Sequence, residues 1–586
     1  MAKRAVRFIF GLLVFAVLAS IAGFAMIYVM VGREPSVSRN STLVLRLDDD
    51  LAEVPTEGVV QQILSANQPS GLPAVLEALH KAKVDRRIQA VIIMPSGLKA
   101  SYWAKVQEVH DAILDYRKSG KPAVAFLEYT GEKEYLIASA CSKIVLMPSA
   151  PLDLNGLATY EVFLRGTLDK IGLYPDFLHI GDYKTAYNAF TEKGFTKAHR
   201  EVTESMTKDL YDQLVRGIAE GRKKTETDVR ALIDQGPFLP DEALRVGLVD
   251  DLAYVDQIED KAHLPGGKSA RLEADDYAKV SPSSVGLNRG PKIAVIYASG
   301  VIASGKGGYD PLMGGVLGSD TLIEHIRAAR SDSSVRAIVL RIDSPGGSAT
   351  ASDAIWRELV ITRDERHDRP LVVSMSDLAA SGGYWMAMAA PYIVAQPGTL
   401  TGSIGVITGK MVTGGVYTKL GANIESVSQG KFAELASPVR PFNDAERKKV
   451  ESMIEETYDQ FVEKAAQSRH MAPEKLDALA QGRVWTGRQA KANGLVDELG
   501  GLDRAIVAAK LRAKIPADSD VEIVVYPPKR SFFDLVAKGF KTEQGSSLLT
   551  MLVAPDERRA LGVALSPLRL FHPGETLALM PALFLK

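Results

Sequence analysis

Ile88-Gln-Ala-Val-Ile-Ile93 and, 247 residues further on (335 − 88), Val335-Arg-Ala-Ile-Val-Leu340 are two versions of one short apolar run. Other matches follow in the same order: Lys121-Pro122 with Arg369-Pro370, Tyr135 and Pro148 with Tyr384 and Pro397, and Lys170-Ile-Gly with Lys419-Leu-Gly. Glu204-Ser-Met with Glu451-Ser-Met and Gly247-Leu-Val-Asp with Gly494-Leu-Val-Asp extend the series, and the offset stays within 247 to 249 (335 − 88, 384 − 135, 494 − 247). Ordered self-similarity of this kind marks an internal duplication.

Within each unit, short apolar runs such as residues 293–297, 337–342 and 371–375 alternate with amphipathic stretches such as 321–330. Strand-length runs separated by helical periodicity predict βαβ crossovers and an α/β fold. From Asn443 onward, Val450, Ile454, Tyr458 and Phe461 fall on one helical face behind a capping Asn, which predicts a packing helix with no chemistry of its own. Residues 264–291, rich in Gly, Ser, Pro and charge, read as a linker. The expected division is therefore 1–35, a first unit at 40–263, the linker, a second unit at 292–515, and a tail at 516–586 that has no counterpart in the first unit.

A chain of 586 residues exceeds what one hydrophobic core supports, in keeping with more than one domain. With 46% apolar and 24% charged residues and a net charge of −1, it lacks the basic excess of a nucleic-acid binder. The single cysteine, Cys141, excludes an internal disulfide and, with apolar neighbours, reads as a buried inert thiol. Nine scattered histidines without HExxH or Cys/His spacing give no reason to expect a metal, and no cofactor is expected.

Residues 8–31 contain no charge and, at about 1.5 Å per residue, are long enough to cross a hydrocarbon core of about 30 Å. Lys3, Arg4 and Arg7 precede this run and only Arg33 follows closely, so a retained helix would send the rest of the chain to the extracytoplasmic side. Ala19, Ala22 and Ala25 could form a signal-peptide cleavage site, but the run exceeds a normal h-region, and an anchor is the favoured expectation.

Three small-residue loops follow strands in the second unit. The run 337–342 leads into Asp343-Ser-Pro-Gly-Gly-Ser348, where paired glycines let backbone N–H groups approach a ligand oxygen. The run 371–375 leads into Asp377-Leu-Ala-Ala-Ser-Gly-Gly-Tyr384 and places Ser381 at a strand-to-helix turn. Gly398-Thr-Leu-Thr-Gly-Ser-Ile-Gly405 is the third loop, and together they outline a site at one sheet edge.

The first unit has Pro95-Ser-Gly-Leu and Glu132-Lys-Glu in place of the first two loops, but it offers Ile180-Gly-Asp-Tyr-Lys-Thr185. By the shared glycines (430 − 181), Lys184 corresponds to Ala433, so the serine survives only in the second unit and the lysine only in the first. If both matter, they meet across the interface of the units. A lysine acts as a base toward serine only when neutral, which needs a pKa well below about 10.4 among apolar walls such as Tyr183, Tyr187 and Phe190 could supply. No G-x-S-x-G elbow surrounds Ser381, and His367 lies in a charged loop, which weighs against a Ser-His-Asp triad. His179 is expected to be a core or structural histidine.

With these motifs the chain resembles the signal peptide peptidase A family in its long double-domain form, serine peptidases related in fold to the ClpP and crotonase superfamily. The likeness spans roughly residues 40 to 515 by order of motifs. It implies two tandem ClpP/crotonase-like α/β domains behind one transmembrane helix, with Ser381 as nucleophile, Lys184 as general base and Ser403 holding the lysine amine. It further implies an oxyanion hole from Gly346 or Gly347 with Gly382, a shaping role for Gly181, and a homotetramer in a bacterial inner membrane that degrades signal peptide remnants. Asp182 departs from the expected basic or small residue and would raise the lysine's pKa unless it points away. The competing readings are a crotonase-like acyl-CoA enzyme and an inactive scaffold of the same fold.

Overall fold

The computed structural model describes residues 37–48, 51–53, 71–98, 101–264, 271–310, 314–526, 574–581 and 584–585. The apolar segment 8–31 lies outside them, and among the described residues no helix is long and apolar enough to cross a membrane.

Each unit builds its own parallel sheet. In the first, the strand order is Asp251–Leu252, Lys143–Leu146, Ala123–Leu127, Ile88–Ser96, Ser41–Asp48 and Arg271–Glu273. The second unit repeats that order with Glu498–Leu499, Ile393–Ala395, Leu371–Ala380, Val335–Ser344, Lys292–Ser299 and Glu522–Tyr526. Helices cover both faces, so these strands are apolar on both sides and show continuous runs in the sequence instead of alternation. Along Lys292–Ser299, for example, Ala294, Ile296 and Ala298 enter one core while Ile293, Val295 and Tyr297 enter another.

The duplication extends to the helices. Lys197–Arg222 and Asp444–Arg469 each run 26 residues, start at side-chain caps Thr196 and Asn443, and stop at left-handed Lys223 and His470. Val450, Ile454, Tyr458 and Phe461 are buried on the inner face of the second of these.

The expected linker and tail differ from the structure at two short strands. Arg271–Glu273 pairs in parallel with Ser41–Asp48, and Tyr277 just beyond is buried with its hydroxyl donating to Asp85 at 3.1 Å. Glu522–Tyr526 takes the equivalent place beside Lys292–Ser299, so the start of the tail does have a counterpart in the first unit. Strands of three and five residues carry too little periodicity to stand out from Gly, Ser and Pro around them.

A third sheet joins the halves in the order Gly308–Asp310, Gly314–Gly318, Val301–Ala303, Gly346–Ser348, Leu577–Leu579, Val406–Val412 and Tyr174–Ile180. The first-unit strand Tyr174–Ile180 runs antiparallel to Val406–Val412, with Ile180 opposite Val406. The loop after Ile180 therefore meets the loop before Val406. Below this seam, buried ion pairs tie the units: Arg341 holds Glu53 and Glu108 at 2.6 Å each, and Lys105 lies 3.0 Å from Asp343 and 3.6 Å from Asp377.

Candidate active site

Ser381 ends the strand Leu371–Ala380 and caps the short helix Gly382–Ala387. Its backbone sits at φ 56°, ψ −112°, a conformation that L residues rarely adopt and that costs on the order of 1–3 kcal/mol. Two backbone bonds fix it there: its N–H donates to Gly402 O at 2.8 Å, and its C=O accepts from Trp385 N at 2.8 Å. The turn aims the hydroxyl away from the sheet axis toward the loop delivered by the first unit.

Lys184 arrives on that loop. Its Nζ donates to Ser381 Oγ at 2.7 Å, to Ser403 O at 2.9 Å and to Ser403 Oγ at 3.1 Å. Lys184 is 1% exposed, and Ser381 and Ser403 are fully buried. Burial alone pulls the lysine well below its ordinary range. Asp182 is exposed and makes no contribution to that shift, so the carboxylate beside the lysine in sequence points away from it. Tyr187 and Phe190 are buried, and Tyr183 packs on the first-unit core.

The lysine loop is clasped by residues that the sequence did not single out. Tyr183 N donates to Gln481 O at 2.8 Å, Gly482 N to Ile404 O at 2.7 Å, and Ser403 N to Arg483 O at 2.7 Å. A Cβ at Gly482 would stand 2.5 Å from Lys184 N, so only glycine allows the two loops this approach. Outside, Arg483 pairs with Glu201 at 2.8 Å and stacks on Tyr183. Gln481-Gly-Arg lies almost 300 residues from Lys184 (481 − 184 = 297), and no local pattern links them. His179, expected as a core or structural histidine, lies in the strand Tyr174–Ile180 but is exposed, with Nδ1 3.0 Å from Gly181 O; the strand's outer face carries it to solvent.

Of the two glycines in Ser-Pro-Gly-Gly, Gly346 sits at φ 101° and gives its N–H to Ser344 Oγ at 3.2 Å. Its amide is thus engaged within the loop. Gly347 stands opposite Ala578 in the antiparallel pairing with Leu577–Leu579, and Gly382 opens the short helix that follows Ser381.

The equivalent place in the first unit is filled. Glu134 accepts from Leu98 N at 2.8 Å and Gly131 N at 3.1 Å, and Glu132 accepts from Asn155 N and Gly156 N at 3.1 and 3.0 Å. Carboxylates of the Glu-Lys-Glu run thus occupy backbone amides where the second unit keeps Ser-Gly-Gly. Cys141 lies in the first-unit core, where burial pushes its thiol up to about 12, so it is inert at neutral pH.

A buried serine hydroxyl against a buried lysine amine, on a twice-repeated α/β unit, is the arrangement of a serine peptidase. The sequence profile of Peptidase family S49 matches residues 115–265 and 363–516, and the chain belongs to that family. It is similar to the protein named "Serine protease SPPA, chloroplastic" of Arabidopsis thaliana, at 38% identity over 80% of this chain and 70% of that one. It is also similar to "Protease 4" of Salmonella typhi, at 34% identity over 76% of this chain and 73% of that one. "Protease 4" of Haemophilus influenzae shares 28% identity over 82% of this chain and 78% of its own. The protein is a serine peptidase acting on peptides, which leaves the acyl-CoA and scaffold readings without support.

Proposed function

We propose that Ser381 and Lys184 form the catalytic dyad of a membrane-anchored endopeptidase that degrades signal peptide remnants and other apolar, extended peptides. The observation that carries this reading is the 2.7 Å approach of Nζ to Oγ in a pocket dry enough to favour the neutral amine.

In the first step the uncharged Lys184 accepts the Ser381 proton as Oγ attacks the substrate carbonyl carbon. Ser403, through its hydroxyl and its carbonyl oxygen, orients the amine. The N–H groups of Gly347 and Gly382 receive the developing oxyanion. The ammonium then protonates the leaving amine, and a water activated by the regenerated amine hydrolyses the ester. Charge lives on Lys184 only transiently.

An anchor within residues 1–35, oriented by Lys3, Arg4 and Arg7, would hold this site at the periplasmic face of a bacterial inner membrane. The ClpP/crotonase-like form of the two units and an assembly of four copies belong to the same proposal. Those parts rest on the sequence and on the family likeness.

The dyad is tested by labelling the full chain with a fluorophosphonate probe and mapping the adduct. The expected adduct is on Ser381, absent in Ser381→Ala and strongly reduced in Lys184→Ala. Equal labelling of wild type and folded Lys184→Ala would remove the lysine from the reaction.

A further inference from the structure

Arg483 reaches the supports of both Ser381 and Lys184. Its carbonyl accepts from Ser403 N at 2.7 Å, and Ser403 holds the Lys184 amine. The residues that follow, Val484–Thr486, form a strand antiparallel to Leu400–Gly402, which lies parallel to Leu378, Ala379 and Ala380 at the end of the nucleophile's strand. A Cβ on Gly402 would meet Trp485 Cδ1 at 2.8 Å and Arg483 O at 3.0 Å, and Gly402 O is the acceptor that fixes Ser381 N.

The Arg483 side chain closes the outer side of the lysine loop. Its guanidinium carbon lies 4.7 Å from the centre of the Tyr183 ring and 4.6 Å from that of Trp485. Its Nη1 donates to Glu201 Oε1 at 2.8 Å, and the Tyr183 hydroxyl shares the same carboxylate at 3.1 and 3.2 Å. Tyr183 is thus pinned at three points: its N–H on Gln481 O, its ring on the guanidinium and its hydroxyl on Glu201. Lys184, the next residue, is 1% exposed, whereas the Glu201 side chain is 49% exposed. A pair that open to water adds little to folding, so what it contributes is placement.

The clamp follows the same rule as the serine and the lysine, one member from each unit and neither kept in the other copy. Lys448 stands where Glu201 would repeat (448 − 201 = 247), and Gln235-Gly-Pro237 takes the place of Gln481-Gly-Arg483 (481 − 235 = 246).

We infer that Arg483 is a positioning residue for the peptidase reaction, sealing the Lys184 loop against water together with Glu201 and Tyr183. The inference rests on the Ser381/Lys184 reading. Burial is what lowers the amine's pKa, so water admitted past Tyr183 would raise it and leave less neutral base. The charged and titratable groups around the loop are Asp182 and His179 on its own segment, Lys197 and the His199–Glu161 pair beside it, and Tyr458 with Asp477 behind Gln481. None of them contributes to the lysine's shift. Hydrogen bonds from Arg483 and Tyr183 hold the Glu201 carboxyl below its ordinary range, and burial raises the phenols of Tyr183, Tyr187 and Tyr458, so these do not titrate with the amine. The histidines are the same in every variant below, and a limb that belonged to them would not move.

The test compares the pH profile of kcat for a short apolar peptide between the full wild-type chain and Arg483→Met, Arg483→Lys and Glu201→Gln. In Arg483→Met the basic limb should move up by about one pH unit, lowering kcat at neutral pH roughly tenfold and recovering to within about twofold of wild type at high pH. KM should change by less than about twofold, since the clamp need not touch substrate. Arg483→Lys should move the limb nearly as far, because an ammonium lacks the planar face that lies between the two rings. Glu201→Gln, at an exposed position, should move it about half as far and keeps the test open should Arg483→Met fail to fold. A limb that stays in place in folded variants, with kcat lowered equally at every pH, overturns the inference and leaves the dyad standing. A wild-type profile without a basic limb, or fluorophosphonate labelling indifferent to Lys184→Ala, would remove the dyad and the clamp's role with it.

Discussion

Lys105→Met tests whether the seam between the units, and not only the two cores, holds the site in shape. Lys105 comes from the first unit, and its Nζ lies 3.0 Å from Asp343 Oδ2 and 3.6 Å from Asp377 Oδ2 of the second. All three side chains are almost fully buried. Removing one partner of a buried pair leaves an uncompensated charge and typically costs about 3–5 kcal/mol. Here the carboxylates keep some partners: Asp343 accepts from Leu378 N at 3.2 Å, and Asp377 from Tyr102 N at 2.9 Å and Lys105 N at 3.0 Å. The expected loss is therefore near the lower end, about 3 kcal/mol.

Activity should fall with stability in this variant. Asp343 immediately precedes Ser-Pro-Gly-Gly, and Asp377 stands four positions before Ser381 (381 − 377), so both loops of the site hang from this pair. Urea unfolding can be followed by tryptophan fluorescence, since Trp103 is buried at the start of the same helix as Lys105. Adding Asp343→Asn should recover part of the loss by removing one stranded charge. A change below about 1 kcal/mol in Lys105→Met, the scale of an exposed ion pair, would refute the reasoning.

Lys184→Met should abolish peptide cleavage while raising thermal stability at neutral pH. The folded state holds this lysine's pKa below its unfolded value, so between the two the unfolded chain binds more protons; stability rises with pH across that window and is lowest below it. A lower melting temperature at pH 7 for the Met variant, whose side chain fills a similar volume, would contradict the buried neutral amine. In the wild type the same shift predicts that cleavage of a short apolar peptide rises with pH along one limb, well below the range of an ordinary lysine, and a profile flat from acid to alkaline pH would exclude Lys184 as base. Ser403→Ala removes one of the three partners of the amine and should lower kcat roughly tenfold with KM little changed, measured by steady-state kinetics; an effect confined to KM would place Ser403 in substrate binding.

The duplication, the α/β class and the serine and lysine that the fold brings together were legible in the linear order of residues. Repeated apolar runs, and glycine and serine loops kept in one copy and replaced in the other, are local patterns, and local propensity with burial enforces them within a few residues. The same patterns gave Asn443 as a cap and Cys141 as a core thiol. The two short edge strands at 271–273 and 522–526 escaped because a strand of that length is set by the neighbour it pairs with and not by its own periodicity.

What only the tertiary structure decided are the contacts that depend on closure of distant segments. The pairing of Ile180 with Val406 places an amine from one copy against a hydroxyl from the other, and the Gln481-Gly-Arg loop locks it there. The outward turn of Asp182, the filling of the first unit's amides by Glu132 and Glu134, and the seating of Leu577–Leu579 beside Gly346–Ser348 are of the same kind. The sequence holds the residues for each, but whether a lysine is charged depends on the dielectric and the geometry that other parts of the chain bring to it.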